Sequence, residues 1–329
     1  MLSRTAEGLF WLGRNIERMD TAARLLDAGR RLDSLPRTDD QHSEWSSIIV
    51  ASGAMTTFPS SIDEADADTV ADHLIRDITN PSSITSCIEA ARVNAKAVRN
   101  AITADVWEAV NDTRSGLHHR LEKDCDRENL ADFVDWVRTR SGLALGKIEN
   151  TMLRDDSARF IALGKWFERA DATARLLDVK YHVLLPHATD VGGGLDYLQW
   201  VQILRAANSA VAFRHLYSRI VDPRGVVDLL VLNEKSPRSL VAALSEITAL
   251  LQKLASDLPV QQEVAQQART AEETLHATSI DEIFDLGLHD WLTKFIVDTN
   301  VLAQNVTSAF GFGVEIEMAS EHIANSPTQ

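Results

Sequence analysis

Cysteine is nearly absent from this chain. Cys87 and Cys125 stand far apart among 329 residues, with no CxxC and no Cys/His cluster. That excludes a disulfide framework and a finger-type zinc site. Two thiols in so long a chain fit a reducing compartment, so the expected location is cytoplasmic. Long apolar runs are missing too: no stretch of about eighteen uncharged apolar residues occurs, and no membrane span is expected. The opening, MLSRTAEGLFWLGRNIER, passes straight into a helical pattern and does not read as a secretory leader. Basic charge is scarce, with 33 Lys and Arg against 48 Asp and Glu, a net charge of −15 and a pI near 5.1. Such a surface disfavours a nucleic-acid partner, which needs clustered cations, and tolerates cationic or neutral ones. Asn-Gly and Asp-Gly hairpin turns and alternating strand patterns are also lacking.

What is present is helical periodicity. Leu9, Leu12, Ile16, Met19, Ala23 and Leu26 step by three or four and form one stripe. Ile84, Cys87, Ile88, Ala91, Ala95, Val98 and Ile102 repeat the pattern, as do Leu240, Leu244, Ile247, Leu251 and Leu254. A last long helix is expected from Asp281 to about Phe310, with Ile283, Leu286, Trp291, Phe295, Val301 and Leu302 on its buried sides. Asn80-Pro81-Ser82 and Ser236-Pro237 are expected to stop one helix and cap the next, and Leu35-Pro36 and Leu185-Pro186 to end long ones. The fold class is all-α, with ten or so helices in an elongated bundle.

The chain also repeats itself. Residues 10–27 read FWLGRNIERMDTAARLLD and residues 161–178 read IALGKWFERADATARLLD, ten identities in eighteen ungapped positions. Weaker echoes follow: Trp45 parallels Trp200, and Val70-Ala71-Asp72 before Pro81 parallels Val226-Val227-Asp228 before Pro237. The spacing is too long for a solenoid. It points to an internal duplication with halves at 1–150 and 151–318, related by a pseudo-two-fold, and a disordered tail at 319–329. A helical wheel sets Glu17, Arg24, Gly13 and Thr21 on one face, opposite Leu12, Met19, Ala23 and Leu26. Ile161, Gly164, Glu168, Ala172 and Arg175 form the equivalent face. Such a face is either a packing lock or a polar site. As a site, Glu17 and Glu168 are the catalytic candidates, and Arg14, Arg18, Arg24, Arg169, Arg175, Arg205 and Asn208 the substrate-binding ones. Arg and Glu suit this because Arg grips carboxylates bidentately and Glu holds or deprotonates an ammonium.

Other motifs carry less. A ferritin-like di-iron centre needs paired inward Glu-x-x-His elements, which are not read here; Asp39-Asp40-Gln41-His42 falls in a loop. His118-His119 near Glu122 and Asp124 reads as exposed polarity at a helix end. Gly192-Gly193-Gly194 lacks the strand and lysine of a phosphate loop. No metal, no cofactor and no nucleophile constellation are expected.

The opening LSRTAEGLFWLGRNIER, the block NPSSITSCIEAARVNAKAVR and the block VVDLLVLNEKSPRSL together resemble the bacterial α-E family, named for its helices and its Glu-Arg motif. The motif falls on Glu17-Arg18 and its echo on Glu168-Arg169. The resemblance implies a partner, since members are typically encoded beside, or fused to, a circularly permuted ATP-grasp protein, often with a transglutaminase-like protease. ATP-grasp enzymes activate carboxylates as acyl phosphates and form amide-like bonds. The function implied is a helical partner of such a ligase in peptide or amino-acid amide-bond formation or modification, binding a peptide substrate or completing the ligase site. The alternatives are an independent catalytic module with a buried Glu as general base, or a structural scaffold. A Glu-Arg face packed dry against another helix would favour the scaffold.

Overall fold

The computed structural model describes residues 1–35, 44–121, 129–183, 193–217 and 220–313. Among these it holds fourteen α-helices and no strand. The tail expected at 319–329, the Leu185-Pro186 helix end, Asp39 to His42 and Gly192 lie outside the described residues. The first half carries α1 (Ser3–Asp33), α2 (Glu44–Ser52), α3 (Ala67–Ile75), α4 (Ile84–Ala97), α5 (Ala104–Leu121) and α6 (Leu130–Thr151). The second carries α7 (Asp156–Val183), α8 (Gly194–Ala206), α9 (Ala210–Tyr217), α10 (Pro223–Val227), α11 (Leu240–Leu254), α12 (Pro259–Ala277), α13 (Ile280–Leu286) and α14 (Leu288–Ala309). A π-turn, Asp228–Leu232, extends α10.

Local chemistry sets the boundaries. The Ser83 hydroxyl accepts the Ser86 N–H to start α4, and Ser239 accepts the Ala242 N–H to start α11. Both caps fall just beyond the serines expected from sequence, because the Pro-containing turns run on before the helix begins. Asp66 with Thr69 and Ser279 with Glu282 form capping boxes at α3 and α13. The single last helix expected from Asp281 is instead two: Gly287, at φ +87°, interrupts it. Leu286 and Val301, expected inside, are exposed at 66% and 49%.

Helices α1 and α7 form the axis of the molecule. Helix α1 packs most heavily on α7, then on α4 and α6, while α7 packs on α11 and α14. Helix α2 leans on α7 and α8 on α1, so each half reaches across to the other's central helix. One core cluster draws residues from both sides of the 150/151 boundary. Because α1 is covered on nearly all sides, its aliphatic stripe and the face opposite are both buried.

The crossing of α1 and α7 depends on two glycines. A Cβ on Gly13 would stand 2.0 Å from the Ile161 carbonyl oxygen, and a Cβ on Gly164 would stand 2.0 Å from the Phe10 carbonyl oxygen. Both obstacles are backbone, so neither can rotate aside. Contacts advance together along the two helices, Phe10 with Gly164 and then Arg14 and Arg18 with Glu168, so they run in the same direction.

Gly13→Ala and Gly164→Ala are therefore expected each to destabilise the fold by about 3 kcal/mol, the upper part of the usual range for overpacking. Gly146 of α6 has nothing within 4 Å of an added Cβ. Gly146→Ala should be neutral or stabilising by roughly 0.5–1 kcal/mol. Urea unfolding of the three variants decides; equal effects at all three positions would show that the crossing does not need glycine.

Candidate functional site

The Glu-Arg motifs meet where α1 crosses α7, and they are paired crosswise. Arg169 donates from Nε and Nη2 to the two oxygens of Glu17, both at 2.8 Å. Arg18 donates from Nε and Nη2 to the two oxygens of Glu168, at 2.6 and 2.8 Å. Each glutamate is thus held bidentately by the arginine of the other motif. The residues lie about 150 positions apart in sequence but share one interface.

Each glutamate has a second arginine, drawn from a different place. Arg14 Nε lies 2.9 Å from Glu168, one turn before the motif. Position 165, its counterpart, is Lys165, which sits 4.4 Å from the Trp166 ring centroid. Its ammonium is held below the ordinary lysine value by burial and by the neighbouring Arg169. For Glu17 the second arginine is Arg238, from the turn before α11, at 3.5 Å. Arg238 also donates to Asp20 at 3.0 Å, and Arg24 reaches the same carboxylate at 2.6 Å. Position 82, the counterpart of Arg238, is serine. Asp171, the echo of Asp20, consequently has Arg175 at 2.6 Å and one buried oxygen without a hydrogen-bond partner.

Burial and charge define what these groups can do. Glu17 is fully buried and Glu168 is 5% exposed. Burial pushes the Glu168 carboxyl up, but Arg18 and Arg14 outweigh it and hold the group down at about 2. Asp20 is also held below its usual range: burial opposes this, and Arg24 and Arg238 prevail. Burial pushes the Cys87 thiol up to about 12, which leaves it neutral and unreactive.

Of the sequence candidates, Glu17, Glu168, Arg14, Arg18, Arg24, Arg169 and Arg175 belong to this cluster. The pairing differs from the wheel, which put Glu17 with Arg24. Arg24 instead holds Asp20 on its own helix and donates to the Ala206 carbonyl at 2.8 Å, joining α1 to the end of α8. Arg205 and Asn208 are exposed at that end and are not drawn into the cluster. Asn208 sits at φ 57°, the left-handed turn residue between α8 and α9. Sequence reasoning missed Arg238, which the repeat does not mark, and gave no role to Asp20 and Asp171, which it does. The void at the cluster's edge, between Thr21, Arg24, Ala207 and Arg238, measures about 10 Å³, room for a water at most.

Elsewhere, His118 turns to Glu89 at 3.2 Å. One Glu-x-x-His does occur, Glu273 to His276, with the His276 ring near Glu234 and Glu272 at 3.4 and 3.8 Å. Among the described residues no group of three or more His, Cys, Asp or Glu is placed to hold a metal ion. No helix among them is long and apolar enough to cross a membrane.

The depressed acidity of Glu168 has a consequence for stability. A carboxyl held at about 2 when folded and near 4.3 when unfolded stabilises the fold above the unfolded value. That contribution fades as pH falls from about 5 toward 2. At about 1.4 kcal/mol per unit it amounts to roughly 3 kcal/mol, with Asp20 acting in the same direction. Glu168→Gln should cost about 3–5 kcal/mol at pH 7, since it leaves buried guanidinium groups without counter-charge. It should also flatten the acid limb of the stability profile. An unchanged acid limb in urea titrations of the variant would mean that Glu168 is not the group responsible.

Comparison with known proteins agrees with the architecture. No solved structure matches the chain. Uncharacterized proteins from Mycobacterium bovis and from two strains of Mycobacterium tuberculosis are each 24% identical to it over 326 residues. The alignment covers 92% of this chain but 36% of each relative, so the chain spans little more than a third of their length. Residues 1–310 match a family described as a predicted alpha-helical domain with a conserved ER motif. Glu17-Arg18 and Glu168-Arg169 are the Glu-Arg pairs that cross at this interface, and the chain belongs to the Alpha-E family.

Proposed function

We propose that the chain is a non-catalytic helical partner of a circularly permuted ATP-grasp ligase acting in peptide or amino-acid amide-bond formation or modification. The observation that carries the non-catalytic part is that both glutamates of the cluster are held by its own arginines. Both oxygens of Glu17 are occupied by Arg169 in a site closed to solvent. Glu168, held at about 2, is too weak a base to take a proton near neutrality. The five clustered arginines singled out as substrate-binding candidates grip the protein's own carboxylates, so none is spare for a substrate carboxylate. This favours a lock over a general-base site.

The partner part rests on two supports. The resemblance to the α-E family associates such chains with ATP-grasp proteins. The relatives extend this module by nearly two-thirds of their own length, as expected of a unit that works joined to something else. The ligase would supply acyl-phosphate chemistry, and the helical chain a folded surface on which the ligase or its peptide is held.

The test is reconstitution. The chain alone should hydrolyse neither ATP nor peptide. Co-expressed with a circularly permuted ATP-grasp protein from the same genome, it should elute as a complex, and ATP-dependent amide formation should require both chains. Turnover by the isolated chain would establish the catalytic alternative. Full ligase activity without the chain would leave it a scaffold with no part in the reaction.

A further inference from the structure

A groove of about 730 Å³ lies between α12 and α14, away from the Glu-Arg cluster. Leu244, Ala271, Leu275, Trp291, Phe295 and Leu302 supply its apolar lining. Trp291 and Phe295 are stacked, with centroids 5.7 Å apart and planes at 13°. On α14, Val297 and Val301 are exposed at 55% and 49%. The α12 side is lined from Glu263 to Thr278, about 22 Å at the rise of an α-helix. That length suits a helix of four turns laid into a groove.

The seam between two other helices, α5 and α6, is shut by contrast. Between α5 and α6, Trp136 closes on Gly116, where an added Cβ would lie 2.8 Å from its ring. Arg140 ties α6 to α5 through Thr113 at 3.0 Å and the Ala109 carbonyl at 3.2 Å. At the α12/α14 groove the stacked Trp291 and Phe295 line open space, with Ala271 on the facing helix.

Charge selects the occupant. Between Pro259 and Ala309 there are eight Asp and Glu against two Lys and Arg, a strong concentration within a chain of net charge −15. Lys294, one of the two cations, is paired with Asp298, so the charged residues that line the groove, Glu263, Lys294 and Asp298, sum to −1 and Glu263 is the acidic group with no cation among them. The chain's own terminal residues, 314–329, carry three Glu and no Lys or Arg, and a second copy brings the same acidic face. Both would be repelled. We infer that this groove docks a basic amphipathic helix of the partner protein, with its apolar side against Trp291 and Phe295 and its Lys or Arg side chains over Glu263 and Asp298. The inference rests on the reading of the chain as a partner module and assigns the face used.

The probe is a labelled fourteen-residue Leu/Lys amphipathic helix, titrated with the full chain and followed by fluorescence anisotropy. A Leu/Glu helix of the same pattern and a scrambled Leu/Lys peptide are the comparators. The Leu/Lys helix should bind at least about tenfold more tightly than either, a difference of about 1.4 kcal/mol. Ala271→Trp, which fills the groove, and the double reversal Glu263→Lys with Asp298→Lys should each weaken binding about tenfold or more. The reversed residues are exposed, so that variant remains decisive if the tryptophan disturbs folding. Equal binding of the scrambled peptide, or unchanged binding by the charge-reversed chain, overturns the inference. The same variants tested against the co-expressed ATP-grasp protein separate the two claims. Undiminished ligase binding by both variants refutes the groove and spares the partner reading. Tight Leu/Lys binding with no ligase complex refutes the ligase and spares the groove.

Discussion

The fold depends on the approach of α1 to α7 without side chains between their backbones. Gly13 and Gly164 remove the Cβ atoms that would strike a carbonyl oxygen, and only then can the motif residues one turn on reach across. A bidentate Arg–carboxylate pair is two parallel hydrogen bonds and so adds geometric specificity to that close approach. The glycines and the Glu-Arg pairs are thus one device: close approach sets the geometry, and the ion pairs fix register and direction. Each contact has a counterpart 151 residues away, Gly13 on Ile161 answered by Gly164 on Phe10, and Glu17 with Arg169 answered by Glu168 with Arg18. An error in register would break both at once.

Much of this was legible in the sequence, and the illegible part has a definite cause. The ungapped repeat marked Gly13, Glu17, Arg18 and their echoes as equivalent, and periodicity supplied the cores of α1, α4 and α11. A helical wheel, however, sees one helix at a time. It grouped Glu17 with Arg24 because they share a face, whereas the guanidinium that binds Glu17 belongs to a helix 152 residues later. Arg238 was invisible for a related reason: it sits in a turn, and the equivalent position of the first half is Ser82. The break at Gly287 was missed because apolar periodicity continues across it, though the capping box at Ser279 and the glycine itself were in view.

Electrostatics explains how such a cluster persists inside an acidic protein. Glu17, Asp20, Glu168 and Asp171 are met by Arg14, Arg18, Arg24, Arg169, Arg175 and Arg238, so this cluster carries more positive than negative charge while the chain as a whole carries −15. Burying any one of these groups alone would be prohibitive. Together they are tolerable because each carboxylate touches at least one guanidinium, and the long arginine stems remain partly wet. Such a cluster stabilises less than an apolar core of similar volume would, but it discriminates strongly between alternative packings. That is a reason to find it at the crossing, where two similar helices could otherwise exchange partners or slide.

The same reasoning separates the two regions of the molecule by the work their residues can do. At the crossing both glutamates and the arginines that hold them are committed to the chain itself, so substituting one disturbs the fold first and anything else only through it. The α12/α14 groove is the opposite case: its aromatic pair is half-covered and its polar rim is exposed, whereas a tryptophan-on-glycine contact and arginine ties close the seam between α5 and α6. A region that buries little and concentrates like charge gains stability from a cationic apolar partner more readily than from its own chain, and this is why the motif that names the family and the surface that would serve it lie in different places.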